Sequence, residues 1–210
     1  MKQTANVAYL VKIAMLSALA YAIMFLELAI PIFPSFLKMD FSDLIPLIGS
    51  LALGPLAGVL IELIKNLLHL LTTHTGGVGE LANFIVGSAF TATAGLIYFR
   101  NKTRKGAIVA LLCSILAMIV AGALVNYFIT VPLYAVVLHF STEAIVGMSS
   151  QVIPAIHDKL TLILYAFCPF NLLKGVILTL ITIPLYKKVS PLLHRESLRR
   201  AGRADSAGTK

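Results

Sequence analysis

Asn171 and Lys174 lie three residues apart in a long apolar stretch, so on a helix their amide and ammonium project from one face. The pair offers hydrogen-bond donors and an acceptor without forming a catalytic couple, which suits an uncharged heterocycle bearing carbonyl oxygens and ring nitrogens. Asn126, deep in another apolar stretch ahead of Pro132, supplies a second amide that can converge on the same cavity. The alternative for both asparagines is hydrogen bonding between helices, worth about 0.6 kcal/mol each. Glu27, Glu62 and Lys65 also fall in apolar segments, where ionisable groups line cavities or pair with one another. Glu62 and Lys65 share a helix face at i,i+3 and can neutralise each other. Lys174 has no acidic residue at i±3 or i±4.

Other chemistry finds no support. The sequence contains no phosphate-binding loop, no zinc-protease helix motif, no nucleophile elbow and no usefully spaced carboxylate pair. His69, His74, His139, His157 and His194 are dispersed without metal-ligand spacing. Cys113 and Cys168 are isolated in apolar runs and read as small buried hydrophobes. A net charge of +8 comes from basic residues scattered over loops and tails, the pattern of membrane topology signals and not of a nucleic-acid face.

The elements that carry these residues must sit in lipid. Of 210 residues, 59% are hydrophobic and 12% charged, with a mean hydropathy of +0.92. Soluble domains are nearer 45–50% and about 25%. At roughly 20 residues per crossing there is room for five or six spans. The N-terminal apolar segment is too long for a signal-peptide core and reads as the first span, about Val7 to Ile30, stopped by Pro31 and Pro34. Ser42 or Asp43 is placed to cap a short second span, Leu44 to Leu53. After Gly54-Pro55 come a third helix to Thr72, a glycine-rich loop to Gly79, and a fourth span from Glu80 to Phe99. The fifth begins near Gly106, with a kink or end expected at Pro132, and the sixth covers Leu160 to Tyr186. Between them, 134–159 reads as an extended loop with one short interfacial helix.

Of the 17 Lys and Arg, Lys65 and Lys174 lie within spans, Lys38 and Lys159 fall on one side, and the remaining 13 on the other. That asymmetry predicts six crossings with both termini cytoplasmic. Loops 31–43, 72–80 and 134–159 then face outward, where Gly76, Gly77 and Gly79 allow close backbone approach to a ligand. Residues 1–190 read as one membrane domain and 191–210 as a basic, disordered cytoplasmic tail. In the first span, Ala14, Ala18 and Ala22 recur every four residues, a smooth strip suited either to internal packing or to another subunit.

Several strings in order carry a family likeness: Phe36-Leu37-Lys38-Met39-Asp40-Phe41-Ser42-Asp43, Gly54-Pro55-Leu56-Ala57-Gly58, Lys65-Asn66-Leu67-Leu68-His69, Gly79-Glu80-Leu81-Ala82-Asn83-Phe84 and Pro169-Phe170-Asn171-Leu172-Leu173-Lys174-Gly175. The chain resembles the substrate-binding S components of energy-coupling factor (ECF) vitamin transporters, most closely the riboflavin-specific branch. The resemblance implies an all-α, six-helix S-component fold in the cell membrane, no catalytic role and no cofactor. It also implies riboflavin as transported ligand, with FMN left open, and work with a transmembrane coupling subunit and two cytoplasmic ATPases. On the same ground Asn126, Asn171 and Lys174 hold the flavin ring, Leu37, Lys38, Met39 and Asp40 contact or cover the ligand, and Asn83 joins them from the outward segment. Ala14, Ala18 and Ala22 match the surface for the coupling subunit. The chemistry fits, because the pyrimidine edge of a flavin alternates carbonyl acceptors with an N–H donor. With no tryptophan in the chain, stacking falls to Tyr127, Phe128 or Phe170. The alternatives are an S component for another vitamin, or a small membrane enzyme built on Glu62 and His69, which lie seven apart.

Overall fold

The structure is a computed structural model that describes residues 2–185, with side chains from Val7 onward; the expected tail at 191–210 and Tyr186 lie outside it. Helix α1 is Lys2–Met24. A two-stranded hairpin follows, with β1 (Leu28–Ala29) antiparallel to β2 (Lys38–Met39) in the register Leu28 to Met39 and Ala29 to Lys38. Then come α2 (Leu44–Leu53), α3 (Pro55–His69), α4 (Val78–Arg100) and α5 (Arg104–Val137). Last are α6 (Thr142–Ser150) and α7 (Lys159–Leu185). Among the described residues, α1, α4, α5, α7 and the helix Pro55–Thr72 are long and apolar enough to cross a membrane. The ten residues of α2 reach about 15 Å, half of a hydrocarbon core of about 30 Å.

Local chemistry sets these boundaries. Pro55 stands at the first position of α3, where its missing N–H costs nothing. The side chains of Thr103, Ser141 and Asp158 accept from amides in the first turns of α5, α6 and α7, and Asp158 and Thr161 complete a reciprocal capping box. Asp43 occupies the cap position of α2 but makes no such bond, because its carboxylate is committed to two lysines.

Three expectations need correction. Helix α1 stops at Met24, not Ile30, so Glu27 lies outside it and pairs with Lys38 at 2.7 Å beside the hairpin. Of the kink or end expected at Pro132, the end is overturned, since α5 runs on to Val137. A π-helical turn over Asn126–Thr130 precedes this proline, and that wider turn absorbs the crowding between the proline ring and the carbonyl four residues back. Cys113 is exposed on the outside of α5 and not buried.

The interior divides into three apolar clusters. One joins α2, α4, α5 and α7, another packs α1 against α2 and α3, and the third gathers loop 31–41, the C-terminal part of α5, α6 and the start of α7. Large apolar side chains such as Leu112, Leu116, Leu124, Leu164 and Leu180 point outward, as a surface solvated by lipid requires.

Candidate substrate-binding site

A cavity of about 390 Å³ lies among loop 36–43, α4, α5 and α7, within the range of roughly 300–1,000 Å³ for small-molecule sites. Asn126, Asn171, Lys174, Leu37, Lys38, Asp40 and Asn83 all line it. Met39 does not: it points into the core under the hairpin, 3% exposed.

Both cavity amides sit beside π turns. Asn126 begins one, and Asn171 lies four residues beyond the end of another, Ile163–Phe167 in α7. Asn126 Nδ2 donates to the Gly122 carbonyl at 2.7 Å and Asn171 Nδ2 to the Phe167 carbonyl at 2.9 Å. Each bond fixes the rotamer with one of two N–H groups, leaving each residue one donor and its amide oxygen for the cavity.

Lys174 is more constrained than its local sequence suggests. Its Nζ contacts Asp40 Oδ2 at 2.9 Å and Asp43 Oδ2 at 2.7 Å, so one of its three N–H groups stays available. Asp43 also pairs with Lys65, which reaches Ser42 Oγ at 2.8 Å and Glu62 Oε2 at 2.9 Å. The backbone N–H and hydroxyl of Ser42 both donate to Asp40 Oδ1. The result is a ladder of charges that ties the first loop to α3 and α7. Burial pushes the Asp40 and Asp43 carboxyls up, but the Lys174 and Lys65 ammoniums outweigh it and hold both below the ordinary carboxylate range.

A second polar group lies on the same cavity. Glu80 Oε1 meets His69 Nδ1 at 2.8 Å, while Oε2 accepts from Thr75 Oγ1 at 2.8 Å and Thr73 Oγ1 at 3.0 Å. His69 therefore partners Glu80 and not Glu62, so the pair proposed for a membrane enzyme is not formed. Gly76 and Gly77 take left-handed conformations in the turn entering α4, and of the three loop glycines Gly79 lines the cavity.

Aromatic residues complete the apolar wall. Phe170 and Phe167 line it, the first edge-on to Phe33 at 5.5 Å, and Phe36 and Tyr134 face them. Phe128 is 67% exposed on the outside of α5, and Tyr127 lies under the Lys159 ammonium at 4.3 Å, so neither reaches the cavity. Sequence reasoning missed Asp43, Glu80, Tyr134 and Phe167 as lining residues; Glu80 stood in a quoted string, and its place in the first turn of a helix was the available signal.

Residues 8–186 match the family model described as "ECF transporter, substrate-specific component". The chain belongs to this family. Among its relatives, "Riboflavin transporter RibU" of Staphylococcus aureus (strain TCH60) is 32% identical over 186 residues, covering 89% of this chain and 92% of that protein. "Riboflavin transporter FmnP" of Bacillus subtilis (strain 168) is 32% identical over 196 residues, covering 91% and 96%. A solved structure described as "Structure and mechanism of the S component of a bacterial ECF transporter" aligns with a TM-score of 0.69 and 32% identity, over 88% of this chain and 96% of that one.

A substrate-specific component is a multi-pass membrane protein and a transporter part, not an enzyme. In this S component Ala14, Ala18 and Ala22 all lie on the exposed side of α1, while Ile13, Ser17, Ala20 and Met24 face the core. The strip is thus left open by the fold.

Proposed function

We propose that the chain captures riboflavin outside the cell and delivers it inward when a transmembrane coupling subunit and two cytoplasmic ATPases drive it. It crosses the bilayer six times, α2 included, with both termini cytoplasmic. The cavity's polar edge carries the reading: Asn126 and Asn171 offer one donor and one acceptor each, and Lys174 one further donor. That set complements the carbonyl, N–H, carbonyl sequence of a flavin's pyrimidine edge, and the Phe167 and Phe170 wall suits its dimethylbenzene end. The names of the two relatives support the same ligand. Asp40, held by Lys174, keeps Leu37 and Lys38 over the ligand, and Asn83 and the Glu80 group take the ribityl hydroxyls. Both lysines on the cavity are paired with carboxylates, so riboflavin is preferred to FMN, whose phosphate would meet no unpaired lysine.

The test is direct. Protein purified in detergent should be yellow, and protein stripped of ligand should quench riboflavin fluorescence on titration, with FMN a weaker competitor. A colourless preparation that leaves riboflavin fluorescence unchanged refutes the assignment.

A further inference from the structure

Glu62, Lys65, Asp43, Asp40 and Lys174 are joined in one cluster, none more than 6% exposed. It sets three carboxyl groups against two ammoniums, and an unmatched charge at this depth is costly. The hydrogen bonds point to where the imbalance lies. All three N–H groups of Lys65 are used, on Glu62 Oε2, Asp43 Oδ1 and Ser42 Oγ. Among the described residues, Glu62 Oε1 is buried without a partner. So are Asn66 Oδ1, one turn further along α3, and Asn83 Oδ1 on α4. Gly87, one turn after Asn83, faces this carboxyl so closely that a Cβ there would stand 2.7 Å from its carbon. Asn66 Nδ2 lies 3.5 Å from Glu62 Oε2, so the Asn66 amide is beside this carboxyl, and among the described residues both Glu62 Oε1 and Asn66 Oδ1 are acceptors without a donor while Glu62 is ionised.

We propose that Glu62 is a proton-binding site, carrying a proton on Oε1 at neutral pH and donating it to the amide oxygen of Asn66. One proton removes the excess charge and turns one of the two acceptors into a donor for the other. Facing Glu62 are Lys65 and Asn66 on its own helix, Asp43 of the first loop and Lys174 of α7, while α4 turns Gly87 toward it. The neutral acid still accepts from Lys65, so Glu62 is a positioning residue that holds Lys65 against Asp43 behind the cavity wall. The inference does not depend on which ligand the cavity takes, and its readouts need none.

Infrared spectra of the purified protein at neutral pH should contain the carbonyl band of an un-ionised carboxylic acid. Glu62→Gln, whose amide reproduces one donor and one acceptor, should lose that band and keep the parent's melting temperature. Asp43→Asn, which removes a true carboxylate partner of two lysines, should melt several degrees lower. Gly87→Ala should shift the band by crowding the carboxyl, a second handle should Glu62→Gln fail to accumulate. Absence of the band in the parent, its persistence in Glu62→Gln, or a melting temperature as low in Glu62→Gln as in Asp43→Asn overturns the proposal. Melting that rises with sodium or potassium at fixed ionic strength, without the band, overturns it in favour of a metal cation.

Discussion

Lys174 on α7 and Asp40 in the first loop are 134 residues apart in sequence and 2.9 Å apart in space. The contact makes the same ammonium part of the cavity's polar edge and the anchor of the loop above it. In the binding mode proposed above, loop position and ligand recognition are coupled through one side chain.

Removing that ammonium should therefore cost more than a ligand contact. Lys174→Ala leaves Asp40 and Asp43 buried with one fewer cation, a loss on the scale of about 3–5 kcal/mol for breaking a buried pair. Asn171→Ala removes a proposed polar partner of the ligand, about 1–3 kcal/mol, and within the protein only its local bond to the Phe167 carbonyl. Fluorescence titration should find both variants weakened, while thermal melting finds only Lys174→Ala strongly destabilised. Equal melting temperatures would mean that Lys174 does not hold the loop.

The carboxylates set a pH window for this anchor. Asp40 and Asp43 are depressed in the fold, so their contribution is complete above the unfolded value of about 3.9 and is lost as pH falls through the lower folded values. The gap in melting temperature between Glu62→Gln and the same variant carrying Asp43→Asn, a pair in which position 62 does not titrate, should stay constant from about pH 8 to pH 5 and close only in stronger acid. A gap that closes near neutrality would show that Asp43 is not held ionised by Lys65 and Lys174.

Local signals were readable in the sequence where they concern one helix. The Glu62–Lys65 pair follows from i,i+3 spacing, the bounds of α2 from its apolar run, and Asn126 and Asn171 from being amides in hydrocarbon. Pairings across the fold left no periodic trace: Lys174 looked free because its two acids lie in the first loop, and Asp43 looked like a helix cap because its lysines lie on α3 and α7. Continuation through Pro132 depended on a π turn, which propensity does not encode. Which aromatic faces the cavity depended on the rotation of α5 and α7 as packed, and only packing decides that.

That rotation makes a sharp distinction among the aromatics. Phe170→Ala should weaken riboflavin binding by about 0.5–1.5 kcal/mol beyond the area it buries, if its ring meets the flavin. Phe128→Ala, on the exposed outside of α5, should leave affinity unchanged. Titration of the two variants side by side decides the matter, and a larger loss in Phe128→Ala would mean that α5 is turned the other way in the membrane.

The alanine strip separates binding from transport. Ala14, Ala18 and Ala22 are exposed while the opposite face of α1 packs on α2 and α3, so a larger side chain at Ala18 points away from the other described residues. Small residues at four-residue spacing let a second helix approach closely, and one leucine there holds it away. Ala18→Leu should bind riboflavin as the parent does, yet fail to support uptake in cells that contain the coupling subunit and ATPases. Normal uptake would place the docking surface elsewhere, and loss of binding together with uptake would mean that this face of α1 packs inside the subunit after all.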